Sequence, residues 1–384
     1  MALKVCAVTS TRADWGLLAP VLALLRDDPA FDLQLIVTGQ HLMAGAGATM
    51  ATIAAEGFAI SATVDMKLGS DTPEAVTAAL ATGIDGFGKA FARLRPAFVL
   101  VLGDRYETLG ASTAATLARI PIAHIAGGDL TEGAVDDAFR HAITKMAHLH
   151  FVTTTDAARR VRQLGEDSAR VVVTGSPGLD RVRTTALLDR TAFFRAVGLS
   201  PLPKLLIITF HPETLSVNLA AACSEMLAAL GQLGPEVALV FSGSNADVGG
   251  LVVGGLIADF VRTHANAVLH PSLGSTNYFS ALSHADAVVG NSSSGLYEAP
   301  SFGTPTVNIG DRQKGRVRAT SVIDVAARRD DIYQAILRAM AEDCTGVVNP
   351  YGDGHAAERI VAALKAAGDP KRLLQKRFVD LPGI

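Results

Sequence analysis

The chain has 384 residues, of which 49% are hydrophobic and 18% are charged, and its formal net charge is -3. This length predicts two or three domains, each with its own core, and the acidic balance argues against nucleic acid as a partner. The three cysteines lie far apart and fit neither a disulfide framework nor a zinc site, and no apolar run is long enough to cross a membrane. We therefore predict a cytoplasmic protein with no metal and no membrane partner.

Short apolar segments alternate with longer helical patterns along the first half of the chain. The strand-like segments are 4–10, 33–39, 98–104, 120–127, 150–154 and 170–176. Helical patterns at 74–93 and 107–119 lie between them. Because strands that are apolar on both faces and separated by helices are typical of covered parallel sheets, we predict a doubly wound α/β domain over residues 1–182.

Residues 183–203 interrupt this alternation with charged residues and prolines, which is typical of a connection between domains. Further strand-like segments follow at 204–212, 237–245, 267–272, 285–293 and 304–311. We predict a second doubly wound domain over residues 183–365, and a C-terminal amphipathic helix over 366–384 that packs against the domain junction. Since ligands bind beyond the carboxyl ends of strands in such sheets, we expect the site between the two domains.

Most of the predicted strands end in a cluster of polar residues, which marks candidate ligand sites. The clusters are Thr9 to Arg12, Gly103 to Arg105, Gly127 to Asp129, His211 to Glu213, Gly243 to Asn245 and Asn291 to Ser294. One such cluster is weak evidence for a site. Six clusters at six strand ends favour an active cleft.

The segment NSSSG at 291–295 follows a predicted strand and precedes a helical pattern. The residues that offer hydroxyl and N–H groups there are Ser292, Ser293, Ser294 and Gly295. Such a group suits a phosphate, although serine is also common as a simple helix cap. Glu298 lies one turn later, where it would accept hydrogen bonds from ribose hydroxyls, and Arg312 follows the next strand and would bind phosphate oxygens. The sequence has neither a P-loop nor a dinucleotide-binding motif.

Carboxylates are concentrated in the predicted first domain, as Asp104, Asp129 and Asp136. Three converging carboxylates would suit proton abstraction and donation, because neighbouring like charges push their pKa values apart. Asp136 and Arg140 share a helix face at a spacing of four, which also fits an ordinary ion pair. Arg12 follows the first strand and would balance these charges or hold a diphosphate.

His211 follows the first strand of the second domain, where a histidine would bond a phosphate or a leaving oxygen. The alternative is a buried histidine whose ring is satisfied within the fold.

Five segments carry a family resemblance, and in chain order they are TSTRADWG, LVLGDRYETL, HIAGGDLTEGAVDDAFRHAITKMAHLHFV, TFHPET and GNSSSGLYEAPSFGTPTVNIGDRQKGR. Together they resemble the hydrolysing UDP-N-acetylglucosamine 2-epimerases of sialic and legionaminic acid biosynthesis. The resemblance implies a GT-B-like fold, a homodimer or homotetramer, and a reaction without metal or NAD. A base removes the C2 proton while UDP leaves C1, and water then adds to the resulting 2-acetamidoglucal to release N-acetylmannosamine.

The resemblance also implies roles for individual residues. Positions that match UDP-contacting residues of the family are His211, Ser292, Ser293, Glu298 and Arg312. Asp104 and Asp136 match its acid and base carboxylates. Polar positions that line its sugar site are matched by Arg12, His41 and Arg140. We count Asp104, Asp129, Asp136 and His211 as catalytic candidates.

Two positions depart from the family pattern. The family usually has a polar or acidic residue at position 126 and a glutamate at position 129, where this chain has Ala126 and Asp129. The shorter Asp129 matters because a displacement of about 1 Å can cost ~100-fold in rate. The small Ala126 would leave room for a 4-acetamido group, so UDP-N,N'-diacetylbacillosamine is an alternative substrate to UDP-GlcNAc.

Three other functions are alternatives. A non-hydrolysing epimerase would carry a Thr-Arg-Pro-Glu turn, whereas this chain has TRADWGLL. A GT-B glycosyltransferase would also bind UDP but would have less need of several carboxylates in the first domain. A UDP-sugar-binding protein without catalysis would explain the changes at Ala126 and Asp129.

Overall fold

The computed structural model describes residues 2–43, 48–70, 72–131, 135–211, 219–243 and 250–380. The chain forms two compact units, one of residues Met1–Arg181 with Tyr351–Ile384 and the other of Val182–Pro350. Within the described residues, no helix is long and apolar enough to span a membrane. The two units are considered in turn.

The first unit is built on a seven-stranded parallel sheet with the strand order β3-β2-β1-β4-β5-β6-β7. Its strands are β1 (Leu3–Thr9), β2 (Phe31–Thr38), β3 (Ala62–Val64), β4 (Phe98–Leu102), β5 (Ile122–Ile125), β6 (Leu149–Val152) and β7 (Val171–Val173). The helices that follow in this part of the chain are α1 (Arg12–Asp27), α2 (Ala48–Ala55), α3 (Pro73–Leu94), α4 (Tyr106–Leu117), α5 (Val135–Met146), α6 (Thr155–Gln163) and α7 (Gly178–Thr184).

Two successive residues of β1 show why this sheet is apolar on both faces. Val5 packs in one hydrophobic core with Leu18 of α1, whereas Cys6 packs in a second core with Phe87 of α3. Successive strand side chains point to opposite faces, so helices must cover both sides of a strand without polar positions. The predicted doubly wound arrangement of this unit is confirmed.

The second unit has a six-stranded parallel sheet with the order β10-β9-β8-β11-β12-β13. Its strands are β8 (Lys204–Thr209), β9 (Val237–Ser242), β10 (Ala267–His270), β11 (Ala287–Gly290), β12 (Thr306–Ile309) and β13 (Val322–Val325). Its helices are α8 (Arg190–Val197), α9 (Leu219–Leu230), α10 (Gly250–Thr263), α11 (Gly274–His284), α12 (Ser294–Tyr297) and α13 (Arg329–Ala341).

Two strands, β3 and β13, are missing from the sequence-based prediction. They have three and four residues, respectively, and each lies at the edge of its sheet. β3 has the exposed Thr63 at its centre, and β13 is only partly buried and contains the exposed Asp324, so neither strand carries the apolar run of a central strand.

The end of the chain differs from the prediction in two respects. Residues 351–365, which we assigned to the second domain, belong to the first unit, because α14 (Ala356–Ala366) buries Ile360 and Leu364 in the core beside α1. Within the described part of 366–384, only α15 (Pro370–Leu373) is helical, and residues 376–380 have no regular secondary structure. Lys376 anchors this segment to the first unit through Glu166. Packing against the domain junction stays a prediction.

Candidate active site

The start of α1 presents the first polar cluster. Thr11 is the N-cap residue, and its hydroxyl accepts a hydrogen bond from the amide of Asp14, whose carboxylate accepts from the amide of Thr11 in return. This capping box satisfies amides that the first helical turn leaves open. It places Arg12, which is exposed, as the first residue of the helix directly after β1.

His41 lies in a short 3-10 helix, Gly39–Leu42, that directly follows β2. Its ring is buried, and Nε2 is 3.0 Å from the hydroxyl oxygen of Thr9 at the end of β1. Burial lowers the pKa of His41, while the charge of Asp14 acts in the opposite direction. His41 therefore reaches the carboxyl edge of the first sheet as a mainly neutral imidazole.

Arg140 organises the acidic residues of the first unit. Its buried guanidinium donates to the Asp104 carboxylate, to the carbonyl oxygen of Asp129 at 2.9 Å and to the hydroxyl of Thr131 at 3.0 Å. The sequence spacing suggested an ion pair of Arg140 with Asp136. That pairing is wrong, because the carboxylate of α5 that pairs with Arg140 is that of Asp137, at 3.6 Å. The guanidinium also bonds Asp104 and Asp129 beyond the ends of β4 and β5.

Asp129 and Asp136 differ in how they are held. The carboxylate of Asp129 accepts a hydrogen bond of 2.6 Å from the hydroxyl of Thr153, directly after β6. Asp136 is half-buried on the first turn of α5 and has no hydrogen bond or ion pair among the described residues. The structure thus gathers Asp104 and Asp129 around Arg140, with Asp136 one turn before it on the same helix.

Arg105 and Glu107 were not among our predicted site residues. Glu107 is fully buried and accepts two hydrogen bonds from the Arg105 guanidinium, at 3.0 and 3.1 Å. Burial lowers the pKa of Arg105, but the Glu107 carboxylate outweighs it, and the net shift is upward. The signal was present in the sequence GDRYE, where a basic and an acidic residue follow a strand two positions apart.

In the second unit, Asn291 connects three strand ends. Its amide side chain bonds both backbone groups of His211 after β8, at 2.7 and 2.8 Å. The backbone carbonyl oxygen of Asn291 accepts hydrogen bonds from the side chains of Arg312 at 3.2 Å and Gln313 at 2.8 Å, which both lie beyond β12. Asn291 is fully buried, so these bonds fix His211 and Arg312 relative to the end of β11. We had not predicted a role for Gln313.

Among the serines at 292–294, the hydroxyl of Ser292 accepts a long hydrogen bond of 3.4 Å from the first amide of α12, that of Ser294. Ser293 occupies the N-cap position of α12, but its side chain makes no capping hydrogen bond. The hydroxyl of Ser294 is bonded to the phenol of Tyr278. Because α12 has only four residues, a helix dipole adds little here. Any anion site in this segment depends on the half-buried hydroxyls of Ser292 and Ser293 and on Arg312.

Close packing against β12 explains why a glycine occupies position 295. A Cβ atom at this position would lie 2.5 Å from the Cγ2 atom of Thr306 on β12. The absence of a side chain therefore lets α12 lie directly against that strand.

Glu298 is half-buried, but its Oε2 atom has no contact with solvent and no hydrogen-bond partner among the described residues. Burial raises the pKa of Glu298 to about 7, and the Ser294 hydroxyl and the charge of Arg316 act in the opposite direction. A buried carboxyl oxygen without a partner suits a ligand that brings hydroxyl donors.

Parts of the predicted clusters lie outside the described residues, namely Pro212 and Glu213 after His211, and Ser244 and Asn245 after β9. Across the described ranges, no group of three histidine, cysteine, aspartate or glutamate residues could hold a metal ion.

Residues 23–365 match the family model described as UDP-N-acetylglucosamine 2-epimerase. The chain belongs to this family. It is 37% identical over 334 residues to a GDP/UDP-N,N'-diacetylbacillosamine 2-epimerase (hydrolyzing) of Campylobacter jejuni, covering 86% of each chain. It is 33% identical over 373 residues to a UDP-N,N'-diacetylbacillosamine 2-epimerase (hydrolyzing) of Legionella pneumophila, covering 97% of this chain and 98% of that one.

Solved structures give the same family fold. The UDP-GlcNAc 2-epimerase of Neisseria meningitidis, bound to UDP-GlcNAc, matches with a TM-score of 0.80 and 21% identity over 95% of this chain and 100% of that chain. This likeness concerns the fold alone. It confirms the predicted fold class of two parallel-sheet α/β domains of the GT-B type, and the family match confirms the resemblance noted in the sequence.

Ala126, at one of the two positions where we expect a departure from the family pattern, directly follows β5. It is half-buried against the core and has a φ angle of 62°, in the left-handed region. Residues other than glycine seldom adopt this conformation, and asparagine, aspartate and histidine tolerate it best. In this family member a small apolar side chain therefore occupies a backbone position that suits a polar one.

Proposed function

We propose that this protein is a hydrolysing UDP-sugar 2-epimerase that converts UDP-GlcNAc to N-acetylmannosamine and UDP. The observation that carries the proposal is the buried Arg140 guanidinium, which bonds Asp104 and the backbone of Asp129 and lies one turn from Asp136. Carboxylates gathered at strand ends suit a reaction that moves a proton twice. The family membership and the relatives named as hydrolyzing 2-epimerases support the same reaction.

The first step is an elimination. A carboxylate takes the proton from C2, the C2–H electron pair forms the C1=C2 double bond, and the C1–O bond breaks with its electrons leaving on UDP. In the second step, a protonated carboxyl group delivers its proton to C2 from the opposite face, the hydroxyl of a water molecule bonds to C1, and the remaining proton of that water passes to a carboxylate of the site. Asp104, Asp129 and Asp136 are the candidates for these proton transfers. The opposite delivery inverts C2 and releases the sugar from the nucleotide.

The second unit would bind the UDP portion. Ser292, Ser293 and Arg312 offer hydroxyl and guanidinium donors for the diphosphate, and the unpartnered oxygen of Glu298 would accept from the ribose. His211, held by Asn291, would bond the oxygen that leaves C1. Arg12, His41 and Arg140 would line the sugar site. We further propose a cytoplasmic homodimer or homotetramer that needs no metal, NAD or nucleic acid.

The sugar itself distinguishes two forms of this proposal. UDP-N,N'-diacetylbacillosamine is the alternative donor, and the names of the relatives at 37% and 33% identity support it. The small side chain of Ala126 is compatible with an additional 4-acetamido group if it faces the sugar. A non-hydrolysing epimerase remains a second alternative.

The test is a product assay by NMR in D2O with both donors in parallel, without added metal or NAD. We expect free UDP and a 2-epimerised sugar that carries deuterium at C2, and the faster donor identifies the substrate. A 2-epimer that keeps its nucleotide would mean a non-hydrolysing epimerase. UDP binding without turnover of either donor would contradict the proposal.

A further inference from the structure

The ring of His124 contacts residues next to both members of the Asp104–Arg140 ion pair, and it has no role in the reaction as described. It is fully buried on β5, with Nε2 2.7 Å from the carbonyl oxygen of Gly103 and Nδ1 3.3 Å from the hydroxyl oxygen of Thr144. Gly103 immediately precedes Asp104, and Thr144 lies four residues after Arg140 on α5. One ring therefore connects the backbone beside Asp104 with the helix that carries Arg140.

The chemistry of these partners fixes the state of the ring. A carbonyl oxygen can only accept a hydrogen bond, so Nε2 carries the proton. Burial lowers the pKa of His124 to about 3, and the charges of Arg140 and His150 act in the same direction although the bond to Gly103 opposes them. The ring is neutral, so Nδ1 has a free lone pair and the hydroxyl of Thr144 donates to it.

We propose that His124 is a positioning residue that sets the separation of Asp104 and Arg140. The inference rests on the proposed function, because the separation matters for catalysis only if Asp104 transfers a proton. Gly103 has a φ of 75°, in the left-handed region, its carbonyl oxygen accepts from the His124 ring, and its N–H donates to the carbonyl oxygen of Ile125 at 3.0 Å. Both the N–H and the carbonyl group of Gly103 are therefore bonded to residues of β5, which holds the turn before Asp104 in place.

The neighbouring Gly127 shows how closely this ring is enclosed. A Cβ atom at position 127 would lie 2.8 Å from Oγ1 of Thr144 and 2.9 Å from Nδ1 of His124. The loop that leads to Asp129 therefore passes directly over the hydrogen bond between the two side chains. A ring held on both nitrogens and covered in this way cannot shift without moving the turn, the loop or α5.

Three substitutions at this position separate the two hydrogen bonds. In His124→Gln the side-chain amide nitrogen can reach the place of Nε2 and donate to Gly103. In His124→Asn the amide can reach only the place of Nδ1, and His124→Phe keeps the volume without either bond. We expect His124→Phe to lower kcat by about 100-fold while KM changes by less than about threefold, because a small displacement of catalytic groups affects the transition state most. His124→Gln should recover most of kcat, and His124→Asn should not.

His150→Phe is the matched control. His150 is also fully buried and is the register partner of His124 on the neighbouring strand β6, but its Nε2 bonds the Glu166 carboxylate instead of the backbone before Asp104. We expect a loss of thermal stability similar to that of His124→Phe, with kcat within about twofold of the wild type. A wild-type kcat in His124→Phe would overturn the inference. Equal loss of kcat in His124→Phe, His124→Gln and His150→Phe would overturn it as well, because it would show a general effect of folding.

Two measurements do not depend on turnover. Imidazole nitrogen NMR should show the Nε2–H tautomer for His124, and the Nδ1–H tautomer would contradict the inference. Crystal structures should show that the Asp104–Arg140 ion pair is broken in His124→Phe and kept in His124→Gln, and an intact ion pair in both variants would overturn the inference. A wild type that turns over neither donor would contradict the proposed function, and these two measurements would still decide the role of His124.

Discussion

We expect Glu298 to make the binding of UDP dependent on pH. Its pKa is raised to about 7 by burial, and its ionised form accepts hydrogen bonds from ribose hydroxyls more strongly than its protonated form does. Binding therefore lowers the pKa of Glu298 and releases up to one proton at pH values between the lowered pKa and about 7. We expect UDP affinity to rise with pH by up to about tenfold per unit below that value and to level off above it.

Calorimetric titration of UDP across this range measures the effect, and Glu298→Gln is the control. Glutamine keeps the size of the side chain but does not titrate, while the diphosphate titrates as before. The difference between the two pH profiles isolates Glu298. Identical profiles would show that Glu298 stays ionised in the free protein or does not meet the ribose.

Glu107 stabilises the first unit through Arg105. Removing the charge of a buried carboxylate leaves its partner without compensation, which costs about 3–5 kcal/mol in fully buried pairs. The Arg105 side chain is 33% exposed, so water compensates part of the loss. We expect Glu107→Gln to lower the free energy of unfolding by about 2 kcal/mol, measured by urea denaturation. Asp85→Asn breaks the exposed pair with Lys89 and should have no measurable effect.

At the scale of elements, the close packing of α12 on β12 determines the geometry around the serines. A methyl group at Gly295 would be 2.5 Å from Thr306, so Gly295→Ala must push α12 away from the strand. We expect a loss of about 1–3 kcal/mol in stability and weaker binding of UDP, because overpacking moves the backbone that carries Ser292 and Ser293.

Gly255 provides the comparison within the same unit. It lies exposed in α10, and a Cβ atom there would meet no atom within 4 Å. Gly255→Ala should therefore raise stability by about 0.5–1 kcal/mol, since alanine favours a helix interior. Equal effects of the two substitutions in thermal unfolding would contradict the packing argument for Gly295.

At the scale of the whole chain, the last described residues return to stabilise the first unit. Lys376 donates to Glu166 at 2.7 Å and to the carbonyl oxygens of Lys145 and Ala147 at the end of α5. Glu166 is buried and also bonds His150 and Lys145, and these donors lower its pKa to about 2 despite its burial. The final turn of α5 thus depends on a residue more than 200 positions later.

We expect Lys376→Met to lower the stability of the first unit by about 2 kcal/mol, because Glu166 loses one of its three cationic or imidazole donors and α5 loses its C-terminal cap. Chemical denaturation followed by a probe in each unit measures this. Lys371→Met, at an exposed position of the same segment, should have little effect. UDP binding should persist in both variants if the second unit holds the nucleotide, and a parallel loss of UDP affinity would contradict that assignment.

The sequence by itself determined the features that depend on near neighbours in the chain. Runs such as KVCAVTS and KLLIITF have four consecutive apolar residues at their centres, which is typical of a strand covered on both faces, and they marked most of the central strands. The polar clusters directly after those strands likewise followed from local order, because parallel strands bring their carboxyl ends to one edge. The segments around Asp104, His211 and Ser292 identified the family in the same way.

Only the tertiary structure decided which distant groups meet. Arg140 has carboxylates both four residues before it and 36 residues before it, and the strand order placed the distant Asp104 within its reach. Three further features depend in the same way on sheet order and packing. They are the burial of the Glu298 carboxyl group, the two hydrogen bonds between Asn291 and His211, and the contacts of Lys376 with the end of α5. The local sequence pattern does not predict these contacts, because a side chain can bond only those groups that the folded sheet brings within hydrogen-bonding distance.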